Sequence, residues 1–335
     1  MRIRTLSVAA LAAVLPSAAF GQAWVPPRGE IVVGLSYQWL KADNHLLSDA
    51  VLGAERTPFE ELIGQDLQTT STEDAQIRSQ VLILDADFGL TERLAVSGGI
   101  AFVHSQYLGP SPEDPVFDNG AYHGSFQDAR IGARYAVLDG QKGSWVLTPF
   151  ASFLFPAADY PVLAHAAVGR GLKELQVGMS AGRLLNLGGE PRAFVEGQYF
   201  YAFMEDPGDI SLARSNVDFS FGYLHRSMTI QVFAAYQNTH GGVDWVQHLS
   251  LHDPNLGELV NAHDQAAAAD HWRFGGGVSF QVSDAIDITV ALNDTLWGVN
   301  THDARTLTFG MGWGFRAFGG IGRTSTARDD GSEKN

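Results

Sequence analysis

One short motif combines residue types and spacing that could support nucleophilic catalysis. His123-Gly124-Ser125 places an imidazole two residues from a hydroxyl. On a β-strand these two side chains would share a face, because alternate side chains point to the same side. A serine nucleophile needs a base within hydrogen-bond reach and a third group that orients the base. No orienting partner is evident in the sequence, so the motif predicts only an incomplete hydrolytic site, with His123 as base and Ser125 as nucleophile.

A second set of candidate residues consists of charges that alternate with apolar side chains. In VLILDADF, residues 81 to 88, Asp85 and Asp87 alternate with Leu84 and Ala86. If the strands close around a lumen, charges in this phase face inward, where a channel's selectivity resides. They would either line an acid-biased path, in which the many inward glycines keep space free, or pair with one another in a structural network. The predicted lumen-lining charges are Asp85, Asp87, Asp128, Arg130, Arg134, Glu174, Glu196, Asp218, Arg273 and Asp287.

Histidines and aspartates cluster between residues 238 and 271, and imidazoles and carboxylates are metal ligands. The histidines are His240, His248, His252, His263 and His271. Only His248 and His252 have a short spacing, and they fall in a predicted loop rather than on a rigid element. We therefore expect a solvated acidic loop, with no metal and no cofactor. The absence of cysteine excludes thiolate metal sites, disulfides and a cysteine nucleophile.

The N-terminus has the features of an export signal. Arg2 and Arg4 precede a short apolar core, and Ala19-Phe20-Gly21 supplies small residues for cleavage. We therefore predict a signal peptide over residues 1–21 and an exported protein. The rest of the chain contains no run of about 20 apolar residues that could form a spanning helix. The net charge of −15 argues against a nucleic-acid partner.

A two-residue rhythm of apolar side chains recurs along the chain. LTFGMGWGF, residues 307 to 315, places large apolar groups at odd positions and Thr308, Gly310, Gly312 and Gly314 between them. Twelve segments show this rhythm, which is typical of strands. Their second face carries mostly Gly, Ser, Ala and Gln, whereas a soluble sandwich would show more charge there. Aromatic residues lie near the segment ends, as in the interfacial girdles of membrane barrels.

The connections between these segments alternate between short and long. Those after even-numbered strands are short turns, and those after odd-numbered strands cover roughly 42–77, 105–125, 156–172, 204–213, 238–270 and 294–304. The pattern predicts an all-β fold: a closed antiparallel transmembrane β-barrel of about 12 strands, with long extracellular loops and short periplasmic turns. The barrel would span residues 22–318, followed by a polar periplasmic tail over 319–335. We also expect a bulge at Pro149, because proline cannot donate a ladder hydrogen bond.

Two stretches resemble a known family. They are DFGLTERLAVSGGI, residues 87–100, and the region 124–185 beginning GSFQDARIGARYAVLDG. Both are similar to the outer-membrane β-barrels of the meta-pathway of phenol degradation, although Pro156-Ala157-Ala158 stands where such sequences often have Pro-Thr-Gly. The resemblance implies an outer-membrane transporter, and it assigns no binding residue.

Three functions follow as expectations. The first is a channel for passive movement of small solutes, hydrophobic or aromatic ones included. The second is a non-conducting barrel with a structural or surface-interaction role. The third is a hydrolase similar to outer-membrane phospholipase, a twelve-stranded barrel with a His-x-Ser pair on its lipid-facing side. The phase of the fourth strand, extended toward its start, predicts that His123 and Ser125 also face outward, although Phe126-Gln127 follow the serine instead of Asn-Gly. Expected partners are outer-membrane lipid and lipopolysaccharide, the barrel assembly machinery and a small solute.

Overall fold

The computed structural model describes residues 23–46, 76–109, 116–140, 144–160, 162, 164–188, 190–207, 210–242 and 263–316. The predicted signal peptide, the predicted tail and most of the histidine-rich loop lie outside these residues. Their boundaries therefore stay predictions.

Among the described residues, twelve long strands form the architecture, together with one two-residue strand and one helical turn. The strands are β1 (Glu30–Leu46), β2 (Gln76–Gly89), β3 (Leu94–Leu108), β4 (His123–Tyr135), β5 (Leu138–Asp139), β6 (Val146–Pro156), β7 (Glu174–Leu187), β8 (Glu190–Met204), β9 (Leu212–His225), β10 (Met228–Gly241), β11 (Asp270–Ser283), β12 (Ile286–Val299) and β13 (Thr301–Arg316), and the helical turn α1 is His263–Ala266.

The strands close into one antiparallel ring. Most consecutive strands pair with each other, and β1 pairs with β13 from Glu30↔Arg316 onward. The two-residue β5 does not belong to the ring, because β4 pairs directly with β6. Closure leaves no open sheet edge, which is a requirement for a sheet that crosses lipid. The predicted barrel of about twelve strands is confirmed.

The barrel wall reverses the burial pattern of a soluble protein. Large apolar side chains face outward, as Leu82 and Leu84 show with 46% and 48% exposure. Small polar side chains face inward, as Ser180 and Thr289 show with 1% and 0% exposure. Soluble domains bury the first kind and expose the second. The exterior therefore suits a lipid environment.

The barrel has a turn end and a loop end. At the turn end, short connections join β2 to β3, β7 to β8, β9 to β10 and β11 to β12. The predicted loop 294–304 is wrong, because β12 and β13 continue through most of it and only Asn300 separates them. Asn300 has φ of 49°, a left-handed conformation that asparagine tolerates better than most residues.

Pro149 does not produce the expected bulge toward β7. The β6–β7 register runs without a shift through Pro149↔Met179. On the other side of β6, pairing with β4 ends at Phe150↔Arg134. Proline has no N–H to donate. Pro149 lies one residue outside the stretch of β6 that pairs with β4, so no ladder hydrogen bond to β4 requires an N–H at this position.

A real bulge lies elsewhere, between β3 and β4. Ile100 pairs with Ala129, and the next aligned pair is Phe102↔Phe126, so two residues of β4 oppose Ala101. Such a bulge reverses which face each following side chain occupies. Beyond it, Phe126 faces outward with 49% exposure.

No helix among the described residues is long and apolar enough to cross a membrane.

The outward apolar belt yields a test with an internal control. We expect Leu84→Arg, in the middle of β2, to lower the free energy of unfolding by about 2–4 kcal/mol, because a charge there faces the hydrocarbon core. Leu90→Arg, in a turn, replaces a residue of similar exposure, 41% against 48%, and should cost less than about 1 kcal/mol. Urea unfolding in phospholipid vesicles measures both, and equal small effects would contradict a lipid-facing belt.

Candidate functional site

One wall of the lumen carries a ladder of ion pairs. Arg130 Nη2 lies 2.8 Å from Asp85 Oδ1, and Arg134 Nη1 lies 3.0 Å from Asp87 Oδ1. Each pair joins β2 to β4 across β3. The contact is possible because β3 places Gly99 between the first pair, where a larger side chain would intervene. Four of the predicted lumen charges are thus paired, which neutralises this wall.

A second polar network lies on β7 to β10. Arg214 donates to the Glu174 carboxylate and, over 3.1 Å, to Gln237 Oε1. Gln198 Nε2 donates to Asp218 Oδ2 at 3.1 Å. Arg214 was not among the predicted lumen charges, although it has the same strand phase as Asp218 and that phase alone could have identified it.

Arg273 shows that the lumen contains accessible space. It faces inward on β11, since it pairs with Ala235, whose other partner is the inward Asp218. Asp218 is only 7% exposed, yet the Arg273 side chain is exposed. A side chain that is exposed inside a closed ring must border open space. Its guanidinium interacts electrostatically with Asp218 and Arg214.

The remaining predicted charges occupy other levels of the lumen. Glu196 is buried on β8, where its Oε1 accepts the Ala23 N–H at 2.6 Å. Asp287 is half-buried near the turn end, where it pairs with Gly312. Asp128 lies in the β4 bulge and contacts the inward-folded loop.

Inward glycines receive phenylalanine rings from neighbouring strands. A Cβ on Gly222 would lie 2.8 Å from Phe194 Cδ1, and one on Gly275 would lie 2.5 Å from Phe233 Cζ. Gly178 would likewise meet Phe150 Cζ at 2.8 Å. The glycines were expected to keep the lumen free, but at these positions rings occupy the space. Flat aromatic faces therefore form part of the wall from β6 to β11.

The loop after β6 folds into the lumen at the loop end. Tyr160 and Val168 are buried against Val103 of β3 in an apolar cluster. The Tyr160 hydroxyl donates to Asp128 Oδ1 at 2.5 Å and accepts the Gly171 N–H at 3.0 Å. Burial, and then the hydrogen bond to Asp128, raise the pKa of the Tyr160 phenol, so it stays protonated and keeps its role as donor.

Other loops hold this inward loop in place. The Asp118 carboxylate accepts the backbone N–H groups of His165 and Ala166 at 3.1 and 3.0 Å. The Tyr107 ring, 1% exposed, stacks on His165 with centroids 4.4 Å apart. Gln265 of α1 donates to the Arg170 carbonyl at 2.7 Å. Three loops therefore interlock and narrow the loop end.

The candidate pair His123 and Ser125 lies inside the barrel, and its two side chains have separate hydrogen-bond partners. It was expected to face lipid, and that expectation is wrong, because the β4 bulge turns both residues toward the lumen beside Ser105 and Val103. Ser125 Oγ donates to the Phe126 carbonyl at 3.1 Å, and His123 Nε2 lies 3.3 Å from Asn119 Oδ1. Neither hydrogen bond joins the two residues.

The described part of the chain contains no group of three or more His, Asp or Glu placed to hold a metal ion. His248 and His252 lie outside it. His240 Nε2 instead lies 2.7 Å from Ser215 Oγ, and its ring stacks on Tyr201 at 5.5 Å.

Comparison with known proteins identifies the fold. No protein-family model and no curated protein matches the sequence. An outer membrane channel from Pseudomonas putida F1 covers 88% of this chain and 98% of its own, with a TM-score of 0.61 and 12% identity. The chain has the outer-membrane β-barrel fold. The resemblance to the phenol meta-pathway family is not confirmed.

Two further solved structures align less closely. The translocator domain of the autotransporter NalP from Neisseria meningitidis has a TM-score of 0.46 and 10% identity, covering 86% of this chain and 89% of its own. The monoaromatic hydrocarbon channel CymD has a TM-score of 0.41 and 10% identity, covering 87% and 90%.

Adjacent glycines test the ion-pair ladder. A Cβ on Gly99 would displace the Asp85 carboxylate, whereas one on Gly98 would meet only the Arg130 carbonyl oxygen at 3.6 Å, an ordinary contact. We expect Gly99→Ala to lower the free energy of unfolding by about 1–2 kcal/mol more than Gly98→Ala. Urea unfolding in vesicles measures the difference. In an Asp85→Ser background the difference should shrink, and its persistence there would contradict the proposed role of Gly99.

Proposed function

We propose that this protein is an outer-membrane channel for passive movement of small solutes, hydrophobic and aromatic ones included. The exposed Arg273 side chain inside the closed ring carries the proposal, since it requires accessible space within the lumen. The movement involves no covalent step and no cofactor.

The exterior supports placement in the outer membrane. The apolar belt suits lipid, the closed ring satisfies the backbone, and the predicted signal peptide provides export. The last strand ends at Phe315 and Arg316, and a terminal aromatic is similar to the assembly signal of such barrels. We therefore propose outer-membrane lipid, lipopolysaccharide and the barrel assembly machinery as partners, with the loop end outside the cell.

The lumen chemistry supports the proposed solute class. Carboxylates outnumber arginines among its charges, which favours cations over anions. The aromatic wall, which includes Phe194 and Phe233, offers flat apolar faces for stacking. The apolar cluster of Tyr160, Val168 and Val103 adds a second apolar surface nearer the loop end.

A non-conducting barrel with a structural or surface role is the rival. The interlocked loops favour it, because they narrow the loop end. Recording currents from purified protein in planar bilayers separates the two. We expect discrete, cation-preferring steps from the channel, and silence would support the rival.

The aromatic wall gives this experiment a specific readout. We expect benzyltrimethylammonium to block the potassium current at least threefold more strongly than tetramethylammonium, because its ring can stack on phenylalanine. Phe233→Leu should reduce that preference, since leucine keeps an apolar side chain without a ring. Phe309→Leu is the matched control on the lipid-facing side, where Phe309 is 47% exposed. Equal block by both cations would contradict an aromatic path.

A further inference from the structure

Three inward side chains of β9 and β11 carry buried nitrogen atoms that have no hydrogen-bond partner among the described residues. The atoms are Arg214 Nε, Asn216 Nδ2 and His271 Nδ1. His271 as a whole is only 8% exposed. Buried polar groups are nearly always hydrogen-bonded, and an unpaired one costs free energy. Three such nitrogens in one part of the wall therefore indicate a place for an acceptor.

The strand register places these side chains next to one another. Asn216 of β9 and His271 of β11 both pair with Gln237 of β10, one on each side of it. Arg214 lies two residues from Asn216, on the same face of β9. Arg273 lies two residues from His271 on β11, and its side chain is exposed to the lumen. We call Arg214, Asn216, His271 and Arg273 the donor cluster.

The acceptors in the neighbouring wall are engaged by other donors. Gln237 Oε1 and the Glu174 carboxylate both accept from Arg214, through its two terminal nitrogens. Asp218, which interacts electrostatically with Arg273, accepts from Gln198 Nε2 at 3.1 Å. The wall groups thus satisfy one another and leave the three buried nitrogens without an acceptor.

Positive charge gathers around the His271 imidazole. The ring interacts electrostatically with three guanidiniums, which belong to Arg170, Arg214 and Arg273. Arg170 belongs to the inward loop after β6, so guanidiniums act on this place from the loop as well as from the wall. Like charges that lie close together repel one another, and an anion between them is attracted by each. The missing acceptor is therefore best supplied by an anion.

An aromatic face borders the donor cluster on the side of the turn end. The Phe233 ring lies over Gly275, since a Cβ there would approach Phe233 Cζ to 2.5 Å. Gly275 follows Arg273 by two residues on the same face of β11, which is about 7 Å along the strand. A small acid with a carboxylate at one end and a ring at the other can contact both Arg273 and Phe233.

We propose that the donor cluster binds the carboxylate group of a small organic acid, with an aromatic carboxylate as the solute. The Arg273 guanidinium is a planar fork that matches a carboxylate, and Asn216 Nδ2 supplies a further N–H. His271 Nδ1 supplies another in the tautomer that carries its proton there. The inference rests on the proposed channel function and names a solute class for it. Carboxylates still outnumber arginines in the lumen as a whole, so the anion is held at one place rather than favoured throughout.

Isothermal titration calorimetry of the full chain in detergent micelles tests the site without any current. Benzoate is the probe, benzamide is its uncharged analogue, and inorganic phosphate is the alternative oxyanion. We expect benzoate to bind saturably and at least tenfold more tightly than benzamide or phosphate. No saturable binding of benzoate, equal binding of benzamide, or tighter binding of phosphate would each overturn the carboxylate site.

Arginine substitutions test where the carboxylate binds. We expect Arg273→Gln to weaken benzoate binding at least tenfold. Arg273→Lys should weaken it less, because lysine keeps the charge without the planar fork. Arg305→Gln is the matched control and should leave binding unchanged, because the Arg305 side chain is 68% exposed and has the opposite strand phase to the inward Thr306.

Heat-modifiable gel mobility checks that each variant is folded. If Arg273→Gln fails this check, Arg273→Lys carries the comparison with Arg305→Gln. Equal binding by the folded Arg273 and Arg305 variants would overturn the assignment of the site to the donor cluster.

Uptake into proteoliposomes separates this inference from the channel function. At alkaline pH, where benzoate stays ionised, we expect the protein to speed uptake of radiolabelled benzoate over protein-free liposomes. Arg273→Gln should reduce that excess at least threefold at benzoate concentrations below saturation of the site. Binding without uptake would overturn the channel and leave the site. Uptake and binding that are both unchanged by Arg273→Gln would overturn the site and leave the channel.

Discussion

Ring closure is the constraint on which the rest of this structure depends. A sheet in lipid cannot leave an edge unpaired, since each unsatisfied backbone group costs several kcal/mol. Pairing of β1 with β13 and of β4 with β6 removes the edges. Once the ring is closed, every strand has one face toward lipid and one toward the lumen. The outward Leu84 and the inward Asp85 are therefore consequences of a single requirement.

The two-residue periodicity of the sequence predicted the features that each strand determines by itself. The two-residue alternation predicted twelve strands and placed Asp85, Arg130 and Asp218 on a common face, because alternation is a property of each strand by itself. The β4 bulge was not predictable in this way, since it depends on how β3 and β4 align. That one misalignment reverses the faces of His123 and Ser125. The Asn300 turn was missed because the strands continue past the apolar pattern.

Contacts between distant segments were also inaccessible to the sequence. Glycine was expected to signify empty space, but whether a glycine leaves a gap depends on the neighbouring strand. Gly222 receives the Phe194 ring, whereas a Cβ on Gly197 would meet only the Asp218 carbonyl oxygen at 3.7 Å. The inward position of the loop after β6 could not be predicted for the same reason. Its hydrogen bond from Tyr160 to Asp128 joins two residues that come together only in the assembled barrel. Side-chain pairing across β3 needed the same long-range information.

The buried position of Ala23 has a consequence for the order of folding. Its partner Glu196 is 173 residues away along the chain. Contacts of such separation carry a large loop-closure entropy and form slowly. The wall of β6, β7 and β8 must exist before Ala23 has a surface to contact, so the first residues of the described chain reach their final place among the last.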